Sequence, residues 1–435
     1  MYRFAIEDLK KWKENKNKKP LIIRGARQVG KTWLMKEFGS IAYENFIYIS
    51  FDNNQSMQEL FSLNFDIPRI VAGIELYGGQ KIEPETTLLI FDEIQEAPQA
   101  LTALKYFNEN APQYQIIAAG SLLGVALHPG TSFPVGKVEF MDLYPLNFKE
   151  YLAALGSGQY ANKLEAGDFD TVTAFRQTYI DLLKYYYFTG GMPEVVLRFA
   201  ENRDFTQARK IQEQILAAYE QDFSKHAPNE VVPRIRMLWN SIPAQLTREN
   251  KKFIYGLIKG GARAKEYEHA LLWLKDCGLI HTVYRVTKPG MPLNAYEDLK
   301  AFKIFMLDVG LLACMTGLRK ETLLDGSHLF TEFKGALTEQ YVLEQLKTIK
   351  DLRTYYWSND SGNAEIDFIL DTGDDIFPLE VKAEENLQSK SLKVYRDKYN
   401  PKTAVRTSMS GYKKEENLLN LPLYAITEIA EQIKT

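Results

Sequence analysis

Hydrophobic residues in the first third of the chain fall in short runs, separated by polar stretches long enough for a helix. Leu21-Ile22-Ile23, 87–91, 116–119 and 138–143 read as strands, and 46–51 alternates apolar with polar as a further strand. Runs without alternation mark strands covered on both faces, which is the habit of parallel sheets. Helical spacing follows at 33–38 and again at 101–110. From 150 to 235 the pattern is helical, with an apolar helix at 179–188, a break at Gly190-Gly191 and a long amphipathic helix at 205–223. Residues 234–242 predict a helix that stops at Pro243, followed by helices at 252–258 and 265–277 around a Gly260-Gly261 turn. Gly278 ends the last of these, 278–286 alternates as a strand, 303–307 forms another, and 316–332 reads as a polar linker. The remainder predicts a helix at 333–349, strands at 355–357, 365–370 and 377–382, a helix at 390–399 and a strand at 403–408. Asp374-Asp375 turns the hairpin between the second and third of those strands.

Chemistry enters directly after the first strand. Gly25-Ala26-Arg27-Gln28-Val29-Gly30-Lys31-Thr32 fits G-x-x-x-x-G-K-[ST] between a strand and a helix, which is the P-loop context. The two glycines let successive backbone N–H groups turn inward around phosphate oxygens, and the helix that starts near Lys31 and Trp33 adds its positive end. Lys31 is expected on the β- and γ-phosphates of ATP and Thr32 on Mg²⁺. The strand at 87–91 runs into Asp92-Glu93. Acids at the carboxyl end of a parallel strand suit a Walker B pair, with Asp92 in the Mg²⁺ shell and Glu93 as the base for water. Gln95 reads equally as a γ-phosphate sensor or as surface polarity. Ser121, after the strand at 116–119, reads equally as a sensor or as a helix N-cap.

GARQVGKT, LLIFDEIQEAP, IIAAGSLLG and LYPLNFKEYL together resemble the archaeal and bacterial AAA+-like ATPases of the family that carries an uncharacterised C-terminal domain. These are relatives of the signal-transduction ATPases with numerous domains. That resemblance implies ATP hydrolysis; a homo-oligomer in which a neighbour's arginine completes the site stays open beside a monomer, with Arg198 and Arg203 candidates by position. It also implies that Pro193, in Gly190-Gly191-Met192-Pro193-Glu194, packs on the adenine; a plain helix-breaking turn explains the same residues.

The segment 236–315 reads as a winged helix. Between 251 and 288 it carries 8 basic and 3 acidic residues, in a chain whose net charge is −3. That excess fits contact with DNA phosphates, and equally a basic face that packs on other domains. In the last segment Asp367, Glu380 and Lys382 share one face of a hairpin and Glu339 joins from the preceding helix. Three carboxylates suit one or two divalent cations, and Lys382 would orient a water against a phosphodiester. The arrangement resembles the PD-(D/E)xK nucleases, with Ile366 where the family's proline usually stands.

The expected fold is therefore α/β and multidomain. A P-loop parallel sheet spans 1–150, a helical lid 151–235, a winged helix and linker 236–332, and a nuclease-like domain 333–435. Composition adds little: 45% hydrophobic and 25% charged residues are ordinary for a globular chain. Cys277 and Cys314 lack metal spacing. No run approaches about 20 apolar residues, so no membrane span is expected, and the cytoplasm is the default location. Two functions remain open. One is an ATPase coupled to a DNA-binding nuclease; the other is an ATP-dependent switch whose C-terminal fold only binds DNA or a protein partner. A nucleotide kinase is disfavoured by the Asp-Glu pair and by the lack of an arginine-rich lid motif.

Overall fold

The five N-terminal strands are β1 (Leu21–Arg24), β2 (Asn45–Ser50), β3 (Thr87–Asp92), β4 (Gln115–Gly120) and β5 (Glu139–Asp142). In the computed structural model they form one parallel sheet in the order β2-β3-β4-β1-β5. The apolar runs β3 and β4 are buried at every position, whereas the two edge strands alternate. That is the pattern expected when helices cover both faces of the central strands. Phe51, Phe61 and Phe91 pack edge to face, with centroids 5.5–5.8 Å apart, and fix β3 against the helix Gln55–Leu63.

Residues 1–120, 134–248, 251–324, 331–359, 362–385 and 388–434 are described by the structure. They divide into two compact units, one of Arg3–Tyr144 with 276–278, the other of the remaining residues. Among the described residues no helix is long and apolar enough to cross a membrane.

The second unit combines helices with a mixed sheet. Its strands are β6 (Ile280–Val286), β7 (Glu297–Met306), β8 (Arg353–Ser358), β9 (Glu365–Asp371), β10 (Ile376–Val381), β11 (Ala404–Ser408), β12 (Lys413–Glu415) and β13 (Leu418–Pro422). They lie in the order β12-β13-β11-β10-β9-β8-β6-β7. The helix Thr331–Lys347, strands β8–β10, the helix Lys390–Tyr399 and β11 follow in the expected succession.

The region expected to be a winged helix differs in three ways. Its first helix, Val232–Leu246, runs through Pro243 instead of stopping there. The reason is tertiary: Gln245 exchanges two hydrogen bonds with the backbone of Ile254, at 2.9 and 3.0 Å, so the last turn is held from outside. The stretch 252–258 keeps only the 3₁₀ turn Tyr255–Leu257. The hairpin β6–β7 is no solvent-facing wing, because β6 pairs with β8 (Arg285 with Tyr356, Val286 with Trp357) and joins the large sheet.

Gly190 and Gly191 owe their place to packing. Gly190 has φ of +68°, and a Cβ there would stand 2.1 Å from Asp308 Oδ1. The N–H of Gly191 donates to Asp308 Oδ2 at 2.6 Å and that of Leu311 to Oδ1 at 2.8 Å. Burial lifts the Asp308 carboxyl from 3.8 to about 6, against those backbone donors. Folded Asp308 thus keeps its proton up to about pH 6, while the unfolded chain loses it near 4. Stability from this group is full below pH 4 and falls as pH rises to 6, by about 3 kcal/mol. Urea unfolding of Asp308→Asn across pH 4–6 is expected to lack that slope.

Candidate functional site

The loop after β1 is built as its spacing requires. Gly25 has φ of +157°, and a Cβ on it would stand 2.4 Å from the Leu143 carbonyl oxygen. Gln28 (φ 66°) and Gly30 (φ 94°) are left-handed, and Gly30 caps the helix Lys31–Ala42. Ala26 and Val29 are buried and anchor the loop; Gln28 is exposed, and Trp33 is 37% exposed on the first helical turn. Lys31 lies inside the curve and donates to the carbonyls of Gly25 and Ala26 at 3.0 and 2.8 Å. Burial lowers its ammonium from 10.5 to about 8, against the pull of Glu93 and Asp92.

The carboxyl end of β3 meets this loop. Thr32 Oγ1 donates to Asp92 Oδ2 at 2.6 Å, and the Tyr48 hydroxyl donates to the same oxygen at 3.0 Å. Thr32 and Asp92 thus present a hydroxyl and a carboxylate side by side, a donor pair that suits Mg²⁺. Glu93 turns into the left-handed region (φ 49°), and its carboxylate accepts from the Gln95 amide. Gln95 is 5% exposed, so surface polarity does not account for it. Ser121 lies outside the described residues. The strand before it, β4, lies between β1 and β3, with Gly120 in register with Arg24.

Two residues here go beyond those the sequence pattern singles out. Arg3 is buried and donates to the carbonyls of Val29 (3.1 Å) and Tyr144 (2.6 Å), bracing the loop from an unmarked N-terminal position. Tyr48 was legible in part. In the alternating strand β2 it shares a face with Ser50, whose register partner is Asp92. Burial, then Asp92, pushes its hydroxyl up to about 12.

In the second unit, Pro193 is the first residue of the helix Pro193–Asn202. Arg198 pairs with Glu201 at 3.1 Å, and Arg203 donates to the Leu155 carbonyl at 2.8 Å. Among the basic residues between 251 and 288, Arg285 pairs with Asp298 at 2.8 Å, and Lys251 pairs with Glu339.

The C-terminal acids converge as expected, and lysines converge on them. The Val381 N–H donates to Asp367 Oδ2 at 2.8 Å, and Lys382 meets Glu380 at 2.8 Å. Glu339 faces Lys251 directly and Lys303 at 3.8 Å; Lys303 meets Glu365 at 2.5 Å. Lys303 is fully buried, and its ammonium is raised because Glu365 and Glu339 outweigh burial. Burial and the neighbouring Glu339 and Glu380 hold the Asp367 carboxyl well above the ordinary range, whereas Lys251 and Lys303 outweigh burial at Glu339 and hold its carboxyl below it. Among the described residues no group of three or more His, Cys, Asp or Glu is arranged to hold a metal ion. The set Glu339, Asp367 and Glu380 has its charge answered by lysines and, as folded, does not fit a resident metal.

With this geometry in place, residues 17–152 match the family model of the AAA domain. Residues 180–322 match a domain of unknown function (DUF8612), and 334–426 match another (DUF4143). No curated protein matches the chain. Among solved structures it is similar to a Walker-type ATPase of Pyrococcus abyssi: 15% identity, 72% of this chain and 94% of that one, TM-score 0.44. It is also similar to Cdc6p of Pyrobaculum aerophilum: 13% identity, 73% and 94% covered, TM-score 0.28. A third is the Orc1 protein of Aeropyrum pernix, solved in complex with DNA: 12% identity, 72% and 90% covered, TM-score 0.25. The AAA match and the loop geometry define the class: the N-terminal unit is a P-loop, AAA-like ATPase.

Proposed function

We propose that the chain couples ATP hydrolysis in its N-terminal unit to a nucleic-acid phosphodiester site in its second unit. In the first unit Lys31 and the loop N–H groups hold the phosphates, and Glu93, kept in place by Gln95, takes the proton of the attacking water. Mg²⁺ held by Thr32 and Asp92 would supply charge neutralisation for the phosphates. The observation that carries the reading of the second unit is the meeting of Asp367, Glu380 and Lys382 on adjoining ends of β9 and β10, with Glu339 over them. Lys382, next to Glu380 and half-exposed, is placed to meet an incoming phosphate; the exposed Lys259, Arg263, Lys265 and Lys275 offer further phosphate contacts.

A second reading is an ATP-dependent switch whose C-terminal fold binds DNA or a protein and cuts nothing. The lysines that neutralise the acid cluster favour it. Incubation of supercoiled and branched DNA with Mn²⁺ or Mg²⁺, with and without ATP, separates the two. Nicking that falls about a hundredfold or more in Lys382→Ala is the expected result for the first. Intact ATP turnover with no nicking under any condition selects the switch.

A further inference from the structure

Three cations of the second unit, Lys393, Arg396 and Arg406, line one cavity of about 360 Å³. That volume is near the lower end of the ~300–1,000 Å³ range of small-molecule pockets. Lys393 and Arg396 lie one turn apart on the helix Lys390–Tyr399 and share one of its faces. Arg406 stands on β11. Leu392, Pro401 and Leu418 add apolar walls.

The cavity is built around a buried arginine. Arg406 is only 8% exposed, in a residue type that is rarely so buried. Its Nε donates to Oδ1 of its register partner on β13, Asn420, at 3.2 Å. Asn420 is buried and fixed in turn, donating to the Gly411 carbonyl at 2.7 Å. Burial lowers the pKa of the Arg406 guanidinium, against the pull of Glu415 and Glu380. Each of those acids has a lysine of its own: Lys413 on Glu415 at 2.6 Å, Lys382 on Glu380 at 2.8 Å. The lining itself sets three cations against one acid, Asp397. An excess of two positive charges matches a phosphate monoester, which carries about −1.5 to −2 at neutral pH. A diester of the nucleic-acid backbone carries a single charge. The planar fork of arginine fits phosphate oxygens in pairs.

We propose that this cavity binds a phosphate monoester, with the Arg406 and Arg396 guanidinium groups and the Lys393 ammonium on its oxygens and the apolar walls against its organic part. Two sources offer that chemistry: a free mononucleotide and the phosphorylated end of a nucleic-acid strand. On β10 the register partner of Arg406 is Glu380, so the cavity adjoins the strand that carries the acid cluster. The site is separate from the loop of Lys31, and it stands whether or not the acid cluster cuts.

Binding is measured on the full chain at one fixed salt concentration, without divalent metal and with Lys31→Ala throughout, to take the first unit's loop out of the measurement. The probes form two pairs: a labelled oligonucleotide with a 5′-phosphate or a 5′-hydroxyl, and thymidine monophosphate or thymidine. The expected result is that the phosphorylated member of at least one pair binds about tenfold or more tighter than its partner. Arg406→Lys, which keeps the buried charge and removes the planar fork, is expected to lose that preference. Should this variant fold poorly, Lys393→Gln combined with Arg396→Gln leaves the buried arginine in place and carries the same test. A preference within the oligonucleotide pair places a strand end in the cavity; one within the thymidine pair places a free nucleotide there. Equal binding within both pairs overturns the proposal, as does a preference that the substitutions leave intact.

Discussion

Lys31→Ala is expected to lose nucleotide binding, with ATP affinity falling more than about a hundredfold. Each hydrogen bond from a charged donor to phosphate contributes about 1.5–3 kcal/mol, and Lys31 is placed to make two. In the ligand-free loop its ammonium already lies at the centre, on the Gly25 and Ala26 carbonyls. The loss is one of binding rather than folding. Burial lowers the folded pKa of Lys31 to about 8 from 10.5, so the charged form costs the fold about 3 kcal/mol. Folded Lys31 releases its proton earlier than the unfolded chain does, so this cost fades as pH rises from 8 to 10.5. Phosphate anions favour the ammonium and raise that pKa in the complex. Nucleotide affinity in wild type should therefore fall by about tenfold per pH unit above 8. Titration calorimetry from pH 7 to 9.5, alongside thermal melts of Lys31→Ala, reads both effects. Tight ATP binding by the variant would count against the loop assignment.

Glu93→Gln should keep ATP binding and stop turnover, with kcat down about a hundred- to ten-thousand-fold. The substitution is nearly isosteric, and the Gln95 amide can still donate to the side-chain oxygen that replaces the carboxylate, so the turn at Glu93 is preserved. What disappears is the basic oxygen proposed to accept the water proton. Thr32 and Asp92 keep their 2.6 Å contact, which leaves undisturbed the residues that would hold Mg²⁺. A single-turnover assay with bound ATP measures the chemical step directly. Unchanged turnover would refute Glu93 as the base and direct attention to a residue of the neighbouring strand end.

The parts of both sites that could be read in advance share a property: their residues are close in sequence or on adjoining strands. Gly25 to Thr32 is one loop, so spacing alone defines its curvature. Asp92 and Glu93 end an apolar run, and a parallel strand buried on both faces delivers its last residues to the sheet's carboxyl edge. Asp367, Glu380 and Lys382 straddle one hairpin, whose period of two fixes which of them share a face. The lysines that neutralise the acids were not legible. Lys251 lies 88 residues from Glu339, and nothing local distinguishes it from the basic residues beside it. Arg3 braces the phosphate loop from 26 residues away with the same lack of signal. Pro243 shows the converse: a local stop signal was overruled because Gln245 found a backbone partner at Ile254.

The sequence by itself determined the strand–loop–helix nucleotide site, the acids at the carboxyl end of β3, and the succession of helix and strands that carries Glu339, Asp367, Glu380 and Lys382. These follow from short-range stereochemistry: glycine's freedom at positive φ, alternation along a strand, and the unbroken apolar runs of buried parallel strands. Only the tertiary structure decided that the strands expected to form a wing, β6 and β7, end an eight-stranded sheet, and that Lys251, Lys303 and Lys382 are each committed to an acid. The physical reason is the range of the forces involved. Steric and hydrogen-bonding preferences act between chain neighbours, whereas a buried charge takes its partner from whatever the completed fold brings within a few ångströms.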